Sequence, residues 1–117
     1  SLSLGIADSV TVLSTNAAKA DVAATLIANA VNADHPAVTR RPAYQIDDYT
    51  DLGEQLVTVS VGDLDPITIG LALDAGTSVA QDMARRGLIS GAALFLSGEY
   101  RIVGVFLQAI AGFGKCP

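Results

Sequence analysis

Charge is what this chain has least of. Only 16% of its 117 residues are Asp, Glu, Lys or Arg, while half are hydrophobic. A soluble domain ordinarily carries about a quarter charged residues. Mean hydropathy is +0.44. A domain this small has much surface to cover with few polar groups, so part of its apolar surface is expected to be covered by another chain. Cysteine is nearly absent too. The single Cys116 excludes an internal disulfide framework and a Cys-rich zinc site. No apolar run is long enough to span a bilayer, the greasiest stretches being broken by Asp74, Asp82, Glu99 and Arg101. Basic residues are scarce: seven Lys and Arg against twelve acids give a net charge of −5. The pairs Arg40-Arg41 and Arg85-Arg86 do not make a nucleic-acid surface. Ser1 to Val12 lacks a basic n-region, which argues against a signal peptide. The expectation is a cytoplasmic protein, partnered or oligomeric, contacting neither nucleic acid nor membrane.

The remaining pattern reads as one α+β domain over residues 1–117. Ser1 to Leu4 alternates as a strand does, Gly5 to Asp8 is a turn, and Val10 to Leu13 is β-branched core strand. Ser14, Thr15 and Asn16 are N-cap types, predicting a helix from Ala17 to Val31. Asn32 to Gly53 reads as a long polar loop. Val57 to Val61 is a strand. Asp65-Pro66 opens a second helix that ends near Arg86, with Gly87 in the terminating position. Ala92 to Leu96 and Tyr100 to Val103 form a hairpin about Ser97-Gly98-Glu99, and an apolar tail follows. This predicts a mostly antiparallel sheet with two helices on one face.

Asp21, Thr25 and Asn29 fall four apart on the first helix, so they share one face. Their neighbours are Ala, Val, Leu and Ile. Most of this helix is therefore expected to be buried, and the stripe to need partners, since unpaired burial of a polar group costs about 1–3 kcal/mol. Asp21 and Thr25 present two hard oxygens to a divalent cation. Asp21 also suits the dipole of a first turn, and Thr25 can bond back to a carbonyl. Asn29 with Asp8 would line a pocket for a small polar molecule, and Arg40-Arg41 would grip a phosphate or carboxylate. His35, before Pro36, reads as a solvent-exposed loop histidine.

Ser9-Val10-Thr11-Val12 followed by Ala20-Asp21-Val22-Ala23-Ala24-Thr25 resembles the ApbE family, the FAD:protein FMN transferases. An uncharacterised ApbE-like family is nearer. Ser1-Leu2-Ser3-Leu4-Gly5-Ile6-Ala7-Asp8 and Ala24-Thr25-Leu26-Ile27-Ala28-Asn29-Ala30-Val31 resemble it, and the likeness runs through Asp51-Leu52-Gly53, Leu56 to Val59 and Gly87-Leu88-Ile89 to the hairpin. It covers most of this chain but only about the C-terminal half of that family's usual length. The resemblance implies an ApbE-like half-fold, Mg²⁺ held by Asp21 and Thr25, and a flavin diphosphate beside it. It also implies a missing N-terminal half or a partner chain.

A chain that opens on Ser1 instead of methionine suggests a cut inside a longer polypeptide. Ser1 is then a candidate nucleophile, its own α-amine acting as base, in an autoprocessed hydrolase of amide or cyclic amide bonds. The third reading is a non-catalytic subunit whose polar stripe pairs with the missing half.

Overall fold

The computed structural model describes residues 4–46 and 53–104. Their order is β1 (Ser9–Leu13), α1 (Ala17–Ala30), β2 (Val38–Pro42), a 3₁₀ turn (Ala43–Gln45), β3 (Leu56–Val61), α2 (Pro66–Arg85), β4 (Gly91–Leu96) and β5 (Glu99–Gly104). This is an α+β fold in which every strand pair is antiparallel. Both helices start where capping chemistry sets them. Asn16 Oδ1 accepts from Lys19 N–H at 3.0 Å, and Asp65 Oδ2 accepts from Thr68 N–H at 3.0 Å ahead of Pro66. Each bond satisfies an amide that the first helical turn cannot.

The strands form two sheets, where the sequence suggested one. β1, β4 and β5 make a three-stranded sheet in the order β1-β4-β5, while β2 and β3 pair separately. In the first sheet the period-2 alternation sends Val10, Val12, Ala92, Leu94, Leu96 and Val103 to one face. α1 packs over β1, and α2 packs over β4 and β5 on that same face. Ile27, Val31, Leu73, Leu94 and Leu96 are the largest fully buried side chains of this core. The helices meet where Gly76 faces Val31: a Cβ on Gly76 would lie 2.2 Å from Val31 Cγ2. Only a residue without a side chain allows that approach.

Two further expectations change. The polar segment Asn32 to Gly53 is not one loop, since it holds β2 and the 3₁₀ turn. Val38–Pro42 finds its partner in β3, across a register shift at Thr39/Arg40. Pairing with a strand so distant in sequence overrides the weak local propensity of Arg-Arg-Pro. Nor is α1 mostly buried: only Ala23 and Ile27 are, while Val22 is 59% and Leu26 50% exposed. Ser1, most of the proposed first strand, the acids Asp47, Asp48 and Asp51, and the tail with Cys116 lie outside the described residues.

Candidate functional site

Asp21 and Thr25 stand on the solvent face of α1, roughly opposite Ala23 and Ile27. Thr25 Oγ1 donates to the Asp21 carbonyl oxygen at 3.2 Å, the ordinary back-bond of a helical threonine. Asn29 continues the same edge and is half-buried. The stripe exists as spaced, but its premise of burial does not hold, because no polar residue among the described ones is buried. Exposed groups are hydrated and need no partner; they remain open to a ligand.

Beside this edge lies a feature the sequence concealed. Ala18, Lys19, Val22, Ala23 and Leu26 of α1, with Met83 of α2 and Leu88 beyond it, line an almost wholly apolar hollow of about 320 Å³. Lys19 stands at its rim by virtue of its charge and length. Val22 and Leu26 are four apart, and that spacing was the available signal. Counting them as core hid them, because apolar periodicity shows which residues share a face but not whether anything covers it.

Two of the other candidates, Asp8 and Arg40, make contacts within the fold. Asp8 Oδ2 accepts from Ser97 N–H at 2.8 Å, fastening the β4–β5 turn to the chain just before β1. Arg40 donates to Leu4 O at 3.0 Å and Ala33 O at 3.2 Å, and also to Asn32 Oδ1, so its guanidinium is a clamp between β2 and two loops. A small hollow adjoins it, lined by Asn32, Ala33, Asp34 and Arg40. Arg41 is exposed one residue on, its side of the strand opposite Arg40. Asp8, Asn29, Arg40 and Arg41 are thus not gathered with Asp21 and Thr25 into one hydrogen-bonded cluster.

His35 is more engaged than a surface loop histidine. Its Nδ1 accepts from Ala37 N–H at 3.0 Å, and its Nε2 lies 3.3 Å from Asp65 Oδ1. With Nδ1 an acceptor, the neutral ring carries its proton on Nε2 and donates it to Asp65. Asp65 also receives the Thr68 hydroxyl at 2.7 Å. Hydrogen bonds from that hydroxyl and the Thr68 amide hold the Asp65 carboxyl below the usual carboxylate range, with His35 a lesser contributor. The pair joins the loop before β2 to the start of α2. Thirty residues of separation left no sequence signal for it.

Among the described residues, no group of three or more His, Cys, Asp or Glu is placed to hold a metal. Nor is any of their helices long and apolar enough to cross a membrane. A protein-family model described as AbpE bacteria matches residues 1–102, and the chain belongs to that family. It is a different family from the ApbE flavin transferases, and the match carries nothing on flavin transfer. No curated protein and no solved structure matches the chain.

Proposed function

We propose that this AbpE-family chain is a binding module that takes a divalent cation, with a small polar or phosphate-containing ligand, along the Asp21–Thr25–Asn29 edge of α1. The observation that carries the reading is the exposure of Asp21 and Thr25 beside an apolar hollow. Such a pairing of hard oxygens with greasy wall is common in small-molecule sites. The D-x-x-x-T spacing of Asp21 and Thr25 resembles that of the flavin transferases, and on that resemblance alone the cation would be Mg²⁺. Magnesium requires near-octahedral oxygen coordination and keeps several waters. Two protein oxygens suit it only if ligand phosphates, water or a second chain supply the rest. The metal would neutralise the phosphate charge, while Val22, Leu26 and Leu88 would seat an apolar portion of the ligand.

The test is thermal unfolding with MgCl₂ alone and MgCl₂ plus inorganic pyrophosphate, against NaCl of equal ionic strength. Ligand at about 100 times Kd stabilises by about 2.7 kcal/mol, or several degrees in Tm for a domain of this size. Asp21→Ala should abolish the shift and leave the unliganded Tm unchanged, since the residue is exposed. A wild-type Tm indifferent to both additives at about 10 mM, where even a Kd of about 1 mM would give a visible shift, would sink the proposal.

A further inference from the structure

We propose that the outer edge of β1 is a pairing surface for a second copy of this chain, two β1 strands meeting antiparallel about a two-fold axis at Thr11. This rests on the reading above, in which a second chain is one source of the cation's remaining coordination.

The argument begins with edge chemistry. Unpaired strand edges invite other strands, and proteins guard them with charge, proline and bulges. Four strands here have only one described neighbour. β2 carries Arg40, Arg41 and Pro42, and β3 meets it through an irregular register. β5 carries Glu99 and Arg101. β1 is Ser9-Val10-Thr11-Val12-Leu13, with no charge, no proline and a regular register to β4. It alone has none of the three protections.

Its backbone points the right way. Leu13 O accepts from Ser90 N–H at 2.7 Å, so that carbonyl is turned towards β4. Carbonyls alternate along a strand, which leaves the N–H and C=O of Val10 and Val12 directed outward. A two-fold axis at Thr11 sets Val10 opposite Val12 of the second copy, each pair exchanging both backbone bonds. The side chains agree with this register. Val10 and Val12 both lie on the helix-covered face, so valine meets valine and the core layer continues across the axis. Ser9, Thr11 and Leu13 are exposed on the other face, where Thr11 meets Thr11 and Ser9 meets Leu13. The edge is therefore complementary to itself, as an isologous contact must be. Charge is compatible too: each copy bears −5, and an uncharged strand lets two acidic chains meet without opposing carboxylates at the seam. Five residues of strand bury less than a stable dimer needs, about 1,200 Å² or more. α1 packs over β1 in each copy, so its exposed side chains would have to supply the remaining contact.

Sedimentation equilibrium of the full chain tests this, alongside disulfide trapping in a Cys116→Ser background with oxidised glutathione. Thr11 and its copy form a non-hydrogen-bonded pair, whose Cα atoms lie about 4.5 Å apart, within the range of about 4.4–6.8 Å that a disulfide spans. Thr11→Cys should therefore trap a covalent dimer and Ser9→Cys should not. Thr11→Lys, placing like charges on the axis, should weaken the dimer at least about tenfold with the circular dichroism spectrum unchanged. A wild type that stays at 12.0 kDa up to about 100 μM overturns the proposal. So does a dimer in which Thr11→Cys fails to link, or links no better than Ser9→Cys. Mg²⁺ stabilisation, read on the same samples, separates the two ideas. A monomer that still responds to Mg²⁺ refutes only the second copy, and a β1-linked dimer that does not respond refutes only the binding module.

Discussion

Gly76→Ala places a methyl group into the crossing of the two helices. Its Cβ would lie 2.2 Å from Val31 Cγ2, 2.8 Å from Leu94 Cδ2 and 3.4 Å from Ile27 O. Carbon atoms rest at about 3.5–4.0 Å from one another, so Val31 would have to retreat by more than 1 Å. It cannot do so cheaply, because Val31 and Leu94 are both fully buried. Overpacking of this kind costs about 1–3 kcal/mol. Two clashes below 3 Å put this site in the upper part of that range, about 2–3 kcal/mol, and alanine returns about 0.8–1.0 kcal/mol of helix propensity, leaving a net loss of about 1–2 kcal/mol. The same substitution six residues earlier reverses the sign. A Cβ on Gly70 meets nothing nearer than Arg101 Nη2 at 3.7 Å, the end of a flexible side chain. Gly70→Ala should therefore gain about 0.5–1 kcal/mol. Urea unfolding separates the two variants. With m of about 1–3 kcal/mol/M, the midpoint should fall by about 1 M for Gly76→Ala and rise by about 0.5 M for Gly70→Ala. Equal shifts in one direction would refute the packing argument, because propensity alone treats the two sites alike.

Other expectations follow from single contacts. Ser97 sits at φ 50° and Gly98 at φ 80°, a turn that favours Asn-Gly; Ser97→Asn should raise the urea midpoint, and an unchanged or lower midpoint would contradict that turn. Asp8→Ala, which removes the acceptor of Ser97 N–H, should cost about 1 kcal/mol by the same measurement. Asp65 titrates below its unfolded value of about 3.9. Its contribution to stability is thus complete above that value and fades as pH falls through the lower, folded one. Thr68→Val should move the Asp65 carboxyl midpoint upward in an NMR titration, and no movement would show that the hydroxyl bond is not what lowers it.

Where local chemistry decides, the sequence was readable. Asn16 and Asp65-Pro66 marked the helix starts, Gly87 the end of α2, and Ser97-Gly98 the hairpin, because caps and tight turns are settled within a few residues. What escaped was decided at a distance. β2 looked like loop because Arg40, Arg41 and Pro42 are poor strand formers, and only β3 makes them one. Asp8 looked like a ligand group because its partner Ser97 is 89 positions away. The polar stripe was found residue for residue, yet its burial was misjudged. An alanine-rich helix is apolar on nearly every side, so composition could not say which side the sheet would take. The hollow beside the stripe was missed for the same reason.

The strand order carries a consequence for how the chain must be made. β1 is made before every other described strand, yet among them it pairs only with β4, which is one of the last two. Until Gly91 to Leu96 has emerged, α1 has no sheet to lie on, and Val22 and Leu26 are only part of the greasy surface it shows. The fold therefore closes late and through distant contacts, which is the slow way to fold. Over that interval the unguarded strand Ser9–Leu13 waits beside others like it on neighbouring nascent chains. The edge that suits a two-fold partner in the finished molecule is thus also the edge most in need of a chaperone during synthesis.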